Sequence, residues 1–358
     1  MKIGLFGFPM TGKSTIFQLL TGVEPVAHAT RGAAQTGVAK VSDARLDHLS
    51  TMYKPKKTTH ATVEYLDLAA IEKGQAVQVL PLDQLRTADA LAHVVRSFED
   101  EAIPHIEPTI DVARDVEAME TELLLADQII AEKRLEKIDA LARKTAKEED
   151  RKEAELFRKV VASLEQETPL RKVPFDEHEL LRLRGYTFLT LKPLLVVVNA
   201  GEDDASRLDG GAAAFGIEEI AARPATEVVA LSAKIEAEIA QLNGEDAEIF
   251  RSDLGIKEPA LDRMIRASYH LLGSISFFTV GEDECRAWTI ADGTRARAAA
   301  GKVHSDIERG FIRAELVAYA DLKEAGNWSA CRDHGTLLLE GKDYVVKDGD
   351  VVNFRFNV

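Results

Sequence analysis

The sequence predicts an α/β protein in which a sheet domain is interrupted by a helical insertion and followed by a smaller β-rich domain. Apolar strand-like runs alternate with helical segments through residues 1–110 and 187–275. Residues 111–186 begin with a long charge-rich stretch that is nearly free of Gly and Pro, which is typical of helices. Residues 276–358 contain short β-like runs separated by Gly-Asp and Gly-Lys-Asp turns. We therefore expect three domains with these boundaries.

The first element is a strand that runs into a glycine-rich loop and a helix. An apolar run at residues 2–6 is followed, after the loop, by an apolar helix that Gly22 closes as a C-cap. The loop carries G-x-x-x-x-G-K-S, in which glycines let backbone N–H groups converge on phosphate oxygens at a helix N-terminus. Lys13 would reach the β- and γ-phosphates and is a catalytic candidate, and the Ser14 hydroxyl is a candidate Mg²⁺ ligand. The nucleotide-binding residues expected here are Gly7, Pro9, Met10, Thr11, Gly12, Lys13, Ser14 and Thr15.

Three later strand ends favour a nucleotide-dependent switch over a small-molecule kinase. Asp67 ends the run TVEYLD, where a carboxylate would help to hold Mg²⁺. Asn199 ends LLVVVN, and Ser232, Ala233 and Lys234 follow EVVAL, where a switch protein holds its base. Each residue by itself is usually a cap or a turn. The pieces occur in the order of a G domain, however, and a kinase would leave Asn199 without a role.

The chain resembles the YchF or Obg-like ATPases, within the Obg-like group of translation-associated P-loop proteins. Besides the motifs above, the resemblance rests on VSDARLDHLSTMYKPKK, AHVVRSFEDEAIPHIEP, TELLLADQIIAEKRLEK and RAWTIADGTRARAAAGKVHSDIERGFIRAE. It extends over nearly the whole chain. It implies that the C-terminal stretch is a TGS domain, which is β-grasp-like, and that the sheet domain is G-domain-like.

The residues around Asn199 bear on which base is bound. Guanine readers carry Asn-Lys-x-Asp, whose Asp accepts from both the ring N–H and the exocyclic amine. Here Ala200 replaces the Lys and Glu202 replaces the Asp, so the same two-bond geometry is lost. Asn199 can still pair with the N7 and N6 edge of adenine. The resemblance associates Asn-x-x-Glu with ATP, while a plain turn with a solvated Glu202 is the alternative.

The second switch departs from Asp-x-x-Gly. Residues 67–70 read DLAA, and Ala70 makes a positive φ costly where the Gly N–H would meet the γ-phosphate. Ile71 follows where Ras-type enzymes place a water-positioning Gln, and an apolar side chain cannot orient water. The glycine-rich loop that the family carries after this point is shortened here.

The first switch is altered as well. Arg31 stands where the family places a Thr, six residues before the Gly aligned to Gly37. Thr30 lies beside it, so either a one-residue shift brings Thr30 to the metal or that contact is absent.

His105 is the remaining catalytic candidate. The resemblance places a catalytic His in a mobile segment after FED, and His105 in FEDEAIPHIEP matches it. An imidazole serves as acid, base or water-orienting dipole near neutral pH. The alternative is that His105 is one of nine histidines and merely lies in a loop.

The insertion has two apolar stripes at helical spacing, separated by the charged run KTAKEEDRK. This pattern predicts an antiparallel helical hairpin, or coiled coil, with its charges in solvent. A solvated coiled coil is the default interpretation, and a partner surface is the alternative. The stripes are Leu135, Ile138 and Leu141, followed by Leu156, Val160 and Leu164.

Two small basic clusters are candidate RNA contacts. Between Arg295 and Arg313 the sequence holds five basic and two acidic residues, a local charge of +3. This patch is equally consistent with ribosomal RNA binding, as the family suggests, and with surface solubility. The second cluster is YKPKK, from Tyr53 to Lys57.

The composition excludes several classes of protein. Hydrophobic residues make up 46% and charged residues 29% of 358, as in a soluble globular protein, and no apolar run is long enough for a membrane span. Cys285 and Cys331 lack zinc-like or disulfide-like spacing, and the N-terminus lacks a secretory signal, so we expect a cytoplasmic location. The net charge of −15 repels phosphate backbones, so no DNA partner is expected.

These observations predict a slow, Mg²⁺-dependent ATPase that acts as a nucleotide-controlled switch with the ribosome or in stress regulation. The alternative is a non-hydrolysing ATP- or ribosome-binding module, which the altered switches favour.

Overall fold

Two units make up the chain in the computed structural model, which describes residues 1–25, 34–71, 74, 81–145 and 147–357. Unit one comprises Met1–Val38 and Glu64–Leu271, and unit two comprises Ala39–Val63 and Leu272–Val358. The strands are β1 Lys2–Phe6, β2 Gln35–Lys40, β3 Lys57–Thr59, β4 Thr62–Asp67, β5 Ala90–Ser97, β6 Leu194–Ala200, β7 Thr226–Leu231, β8 Ser274–Thr279, β9 Glu284–Ala291, β10 Phe311–Ala318, β11 Leu338–Glu340 and β12 Asp350–Phe356.

The helices alternate with these strands in unit one, whereas unit two has α2 between β2 and β3 and its other described helices between β9 and β12. They are α1 Lys13–Thr21, α2 Ala44–Tyr53, α3 Pro81–Leu85, α4 Val112–Thr145, α5 Glu148–Glu165, α6 Glu177–Leu183, α7 Gly211–Ala214, α8 Glu218–Ala221, α9 Ala233–Ile239, α10 Gly244–Asp253, α11 Ala260–Leu271, α12 Ala296–Val303, α13 Ser305–Arg309, α14 Tyr319–Ala325 and α15 Trp328–Asp333. Within the described residues, no helix is both long enough and apolar enough to span a membrane.

The first sheet has the strand order β2-β4-β1-β5-β6-β7. The pairs β1–β4, β1–β5, β5–β6 and β6–β7 are parallel, and every residue of β6 is buried, as expected where a parallel sheet is covered on both faces. The carboxyl ends of these strands therefore share one edge. The predicted residues Gly7, Asp67, Asn199 and Ser232 lie at this edge, which confirms the α/β prediction.

The insertion is a pair of consecutive helices, α4 and α5, as predicted. Arg134 pairs with Glu153, and Arg158 pairs with Asp139, across the two helices. The α5 stripe is fully buried in the insertion core, together with Ile138. The assignment of Leu141 to the α4 stripe was wrong.

The side chain of Leu141 is 46% exposed. Leu141 lies near the end of α4, and the start of α5, which follows it in the chain, carries the charged residues EEDRKE rather than apolar ones.

Two buried polar groups tie the insertion to the rest of unit one. Asp127 on α4 is fully buried and accepts from the N–H groups of Leu189 and Thr190, the Thr190 hydroxyl and Arg86. Glu120, two helical turns earlier on α4, forms ion pairs with Arg171 and Arg223. Because buried charges are tolerated only when paired, these contacts fix where the insertion leaves the sheet.

Unit two contains a sheet of order β11-β10-β12-β8-β9-β3. The sequence analysis placed residues 39–63 in the sheet domain, but β3 pairs in parallel with β9 and the segment clusters with the C-terminal residues. For residues 276–358 the sequence predicted only strands and turns. The described part of this stretch also contains the four helices α12 to α15, and α12 buries Ala296, Ala299 and Ala300 against the sheet.

The two basic clusters are less charged than the sequence suggested, because acidic residues distant in sequence pair with them. Arg295 pairs with Asp343 at 2.9 Å, which lowers the local charge of +3 to +2. In YKPKK, Lys56 pairs with Asp283 at 2.7 Å and Lys57 lies 3.6 Å from Glu284. The Tyr53 side chain is partly buried, and this burial raises the pKa of its phenol to about 12.

Candidate functional site: a cleft at the carboxyl ends of the parallel strands

The glycine-rich loop has the conformation that its motif requires. Gly12 caps α1 with φ of 85°, and a Cβ there would lie 2.2 Å from the side-chain nitrogen of Asn199. A Cβ on Gly7 would lie 2.5 Å from the carbonyl oxygen of Val94. Met10 also has a positive φ of 60° and is 63% exposed, which is uncommon outside functional loops. Only glycine fits at both ends of this loop.

Lys13 lies at the start of α1 and points at the end of β4. Its ammonium nitrogen is 2.5 Å from Oδ1 of Asp67 and also donates to the carbonyl of Leu68. The Lys13 side chain is 8% exposed and the Asp67 carboxylate 10%. The two residues that the sequence assigned to phosphate and metal are therefore in direct contact.

The donor set fits Mg²⁺ held mainly by phosphate oxygens and water. Ser14 offers a hydroxyl in the first turn of α1, and Asp67 offers a carboxylate beside Lys13. In the part of the chain that the structure describes, no three His, Cys, Asp or Glu residues group into a metal site. Mg²⁺ typically takes one or two protein oxygens and completes its shell with phosphates and waters.

Asn199 holds two loops together. Its side-chain N–H donates to the carbonyl of Thr11 at 2.9 Å, and its side-chain oxygen accepts from the N–H of Ala233 at 2.9 Å. The residue is 3% exposed. One N–H and one lone pair of the amide remain for a ligand. Asn199 thus sets the position of the glycine-rich loop against the segment that begins α9.

A cleft of about 880 Å³ opens beside these residues. The predicted residues that line it are Met10, Gly12, Thr15, Asn199, Ala200, Glu202, Ala233 and Lys234. The Lys234 ammonium is ion-paired with Glu202 at the surface, and this pair raises the pKa of Lys234. Ser232 is buried and its hydroxyl accepts from the N–H of Ile235, so this side chain caps α9.

A further segment of the cleft lining was not predicted from the sequence. Ser97, Phe98, Glu99, Asp100 and Ile103 line the cleft, and they form a turn between β5 and the residues that lead to α4. The partly buried Phe98 ring offers an apolar surface, whereas Glu99 and Asp100 are exposed. The run RSFEDE was visible in the sequence, but nothing local indicates that a turn with these residues lines the same cleft as Asn199.

The second switch segment is built partly into the core. Leu68 and Ile71 are buried, and the N–H of Ile71 donates to the carbonyl of Gly7 at 3.1 Å. Ile71 therefore does not present a side chain to a bound nucleotide, in agreement with its apolar character. The first-switch residues Thr30 and Arg31 lie outside the described residues, as does most of the shortened loop after Ile71.

His105 is held near the start of α4. Its Nε2 lies 3.1 Å from the carboxylate of the buried Asp115, and its Nδ1 accepts from the N–H of Glu107 at 3.1 Å. Among the described residues that line the cleft are its sequence neighbours Ile103 and Ile110, but not His105 itself. The structure thus places the imidazole on the segment that borders the cleft and orients it toward Asp115.

Comparison with known proteins gives a consistent result. A family model named YchF-GTPase_C, described as "Protein of unknown function (DUF933)", matches residues 274–357. The chain is 42% identical over 365 residues to the ribosome-binding ATPase YchF of Bacillus subtilis, with all of both chains covered. It is 39% identical to the protein of that name from Haemophilus influenzae, over all of this chain and 99% of the relative.

A solved structure is similar as well. The Schizosaccharomyces pombe YchF GTPase superposes with a TM-score of 0.88 at 31% identity, covering 99% of this chain and 97% of the other.

Proposed function

The chain belongs to the YchF family, and from that premise we infer that it is a P-loop ATPase that binds the ribosome. The observation that carries the ATPase proposal is the contact between Lys13 and Asp67, 2.5 Å apart at the helix N-terminus that a phosphate-binding loop precedes. This contact brings a phosphate-binding cation and a metal-binding carboxylate to one point of the sheet edge. Asn199 connects the glycine-rich loop at this point to Ala233, which lines the cleft.

Different residues of the site would bind the phosphates, the metal ion and the attacking water. Backbone N–H groups from Met10 to Thr15 surround the phosphates, and the Lys13 ammonium neutralises the charge that develops on the transferred phosphoryl group. Ser14 and Asp67 would hold Mg²⁺, which would neutralise negative charge on the phosphates. His105 is the proposed water-orienting residue; because Asp115 and the N–H of Glu107 engage both of its ring nitrogens, this role requires one of these contacts to open when the nucleotide binds.

The base occupies the cleft beside Asn199. Phe98 supplies a ring on which a base stacks, and Asn199 retains one donor and one acceptor for its edge. Glu202 is engaged by Lys234, so its carboxylate does not stand free to accept from guanine. This arrangement supports ATP over GTP. The two nucleotides must be compared directly, because the bacterial relatives are called ATPases and the fission yeast structure a GTPase.

Ribosome binding is assigned to unit two on electrostatic grounds. Unit two contains 16 Lys and Arg and 16 Asp and Glu, so its net charge is zero and unit one carries 29 − 44 = −15. A surface of charge −15 repels RNA phosphates, whereas a neutral unit with exposed arginines can present a local basic patch. Binding to the ribosome also implies a cytoplasmic protein.

The test is a pair of measurements on the full chain in Mg²⁺. Fluorescent ATP and GTP analogues are titrated first, and single-turnover hydrolysis of ATP follows. We expect tighter ATP binding and slow hydrolysis that disappears in Lys13→Ala. ATP binding without turnover would support the non-hydrolysing alternative, for which Ala70 and the buried Ile71 are the observations in favour. The absence of binding to either nucleotide would overturn the ATPase proposal.

His105→Ala addresses the catalytic assignment separately. A loss of turnover with unchanged ATP affinity supports it, because a water-orienting group acts after the nucleotide is bound. If the variant hydrolyses ATP as fast as the wild type, His105 is not catalytic and is only a residue of the loop.

A further inference from the structure

Arg96 is a buried arginine beside the cleft that neither the motifs nor the family resemblance singled out. It lies in β5 and pairs in register with Asn199 of β6. Its residue exposure is 2%, so its charge has been removed from water. A buried guanidinium is costly unless its donors are satisfied, and the partners it has here therefore define what it does.

Those partners all belong to the turn that forms one wall of the cleft. The Arg96 Nε donates to the carbonyl of Phe98 at 2.9 Å, and Nη1 donates to the carbonyl of Ile103 at 2.8 Å. The guanidinium carbon also lies 4.4 Å from the centre of the Phe98 ring, within cation–π range. The Arg96 side chain thus contacts both ends of the turn, Phe98 and Ile103, and also the ring of Phe98.

The turn itself is closed by a second residue. The Asp100 carboxylate accepts from the N–H of Ala102 at 2.9 Å, and the N–H of Ile103 donates to the carbonyl of Asp100 at 3.1 Å. These bonds shape the turn locally but do not attach it to the sheet. The attachment runs through Arg96, because β5 places its guanidinium under the two carbonyls.

We propose that Arg96 is a positioning residue that determines the contribution of the base to nucleotide affinity, by fixing Phe98 as a stacking surface in the cleft that Asn199 also lines. This inference rests on the proposed nucleotide site. The Phe98 ring has the guanidinium against it on one side and contributes to the cleft lining. Base–aromatic stacking tolerates every base, because every base has a π-face. Asn199 and Arg96, neighbours in the sheet, then hold two segments that line the same cleft.

The experiment separates the contribution of the base to nucleotide affinity from the contribution of the phosphates. Mg²⁺–ATP and Mg²⁺–tripolyphosphate are titrated calorimetrically into the full chain and into Arg96→Met, which keeps most of the side-chain volume and removes every donor. We expect ATP affinity to fall about tenfold in the variant, the loss of roughly one stacking contact. Tripolyphosphate affinity should stay within about twofold, because the glycine-rich loop is held by Asn199 and not by Arg96.

Two further variants keep the result interpretable. Arg86→Met is the matched control, since Arg86 is another largely buried arginine of unit one that donates to the carbonyl of Thr187 and to Asp127. It should lower the melting temperature without changing the ratio of ATP to tripolyphosphate affinity. Phe98→Leu should reproduce the tenfold loss, and Arg96→Met should add little in that background. If Arg96→Met does not fold, Arg96→Lys takes its place, because a lysine keeps the charge but cannot donate to both carbonyls and should show the same reduced ratio of ATP to tripolyphosphate affinity.

Each outcome has one meaning. A reduced affinity ratio in Arg96→Met with a normal ratio in Arg86→Met supports the inference. An unchanged ratio in a wild type that binds ATP selectively overturns it and leaves the nucleotide site intact. If the wild-type chain binds ATP no better than tripolyphosphate, the proposed base site itself is wrong.

Discussion

Replacing Asn199 by Ala tests whether this residue reads a base or builds the site. The amide makes two buried hydrogen bonds of 2.9 Å, to the carbonyl of Thr11 and from the N–H of Ala233. Its removal leaves both backbone groups without a partner in the interior, at about 1–3 kcal/mol each. We therefore expect the free energy of unfolding to fall by roughly 2–6 kcal/mol, a large part of the ~5–15 kcal/mol typical of a folded protein.

The binding consequence differs from that of a simple base reader. Because Thr11 belongs to the glycine-rich loop, the loss of Asn199 displaces backbone groups that hold phosphates as well as the base. Affinities for ATP, GTP and tripolyphosphate should all fall by at least about tenfold, and the loss should be larger for ATP because the amide also meets the edge of its base. Urea unfolding monitored by circular dichroism measures the first effect, and calorimetric titration measures the second.

Glu202→Gln is the matched control for Asn199→Ala. Glu202 is exposed and is bonded to Lys234 at the surface, so the change should leave the free energy of unfolding within about 0.5 kcal/mol of wild type. Its expected effect is confined to the ratio of ATP to GTP affinity. If Asn199→Ala leaves both the free energy of unfolding and tripolyphosphate binding unchanged and weakens only ATP, the role assigned to its two hydrogen bonds is wrong.

Three more predictions concern stability in unit one. Burial lowers the pKa of His93 to about 3, and its Nε2 has no hydrogen-bond partner among the described residues. The unfolded chain therefore takes up a proton below pH 6.5 that the folded chain does not, and stability should fall by about 1.5–2 kcal/mol between pH 6.5 and about pH 5. His93→Phe should remove that loss, and an unchanged acid limb in urea titrations would contradict the assignment. In the hairpin, Ile138→Ala should cost about 2–5 kcal/mol and the exposed Leu141→Ala less than about 0.5, measured by urea unfolding; equal costs would contradict the burial seen here. Glu120→Gln leaves Arg171 buried beside an uncharged partner and should lower the free energy of unfolding by about 3–5 kcal/mol, with a neutral result showing that the pair is dispensable.

The predictable parts of the site are the polar residues that stand at the carboxyl ends of parallel strands. Asp67 and Asn199 end apolar runs, and parallel strands bring their carboxyl ends to one edge. A motif of fixed spacing located the phosphate loop in the same way. The sequence could not show that the Asn199 amide is used by two backbone groups, because those groups come from Thr11 and Ala233, far away along the chain.

The parts that could not be predicted depend on contacts between distant short segments. The strand β3 has three residues, and its pairing with β9 leaves no periodic signal. The turn that follows β5 is polar and charged in sequence, yet Phe98 and Ile103 line a cleft because a buried arginine holds them there. The exposure of Leu141 is similar: spacing assigned it to a stripe, but burial depends on how far the partner helix extends.

The position of the insertion also affects how the chain is made. Val94 of β5 pairs with Val197 of β6, roughly a hundred residues later. Chains are synthesised at about 5–20 residues per second, so β5 remains without its neighbour β6 for on the order of ten seconds. The contacts between α4 and α5 are local in sequence and form within that interval, which draws the two ends of the intervening chain together before β6 emerges. The hairpin therefore shortens the effective loop that must close, and it limits the time for which an unpaired strand is exposed to other nascent chains.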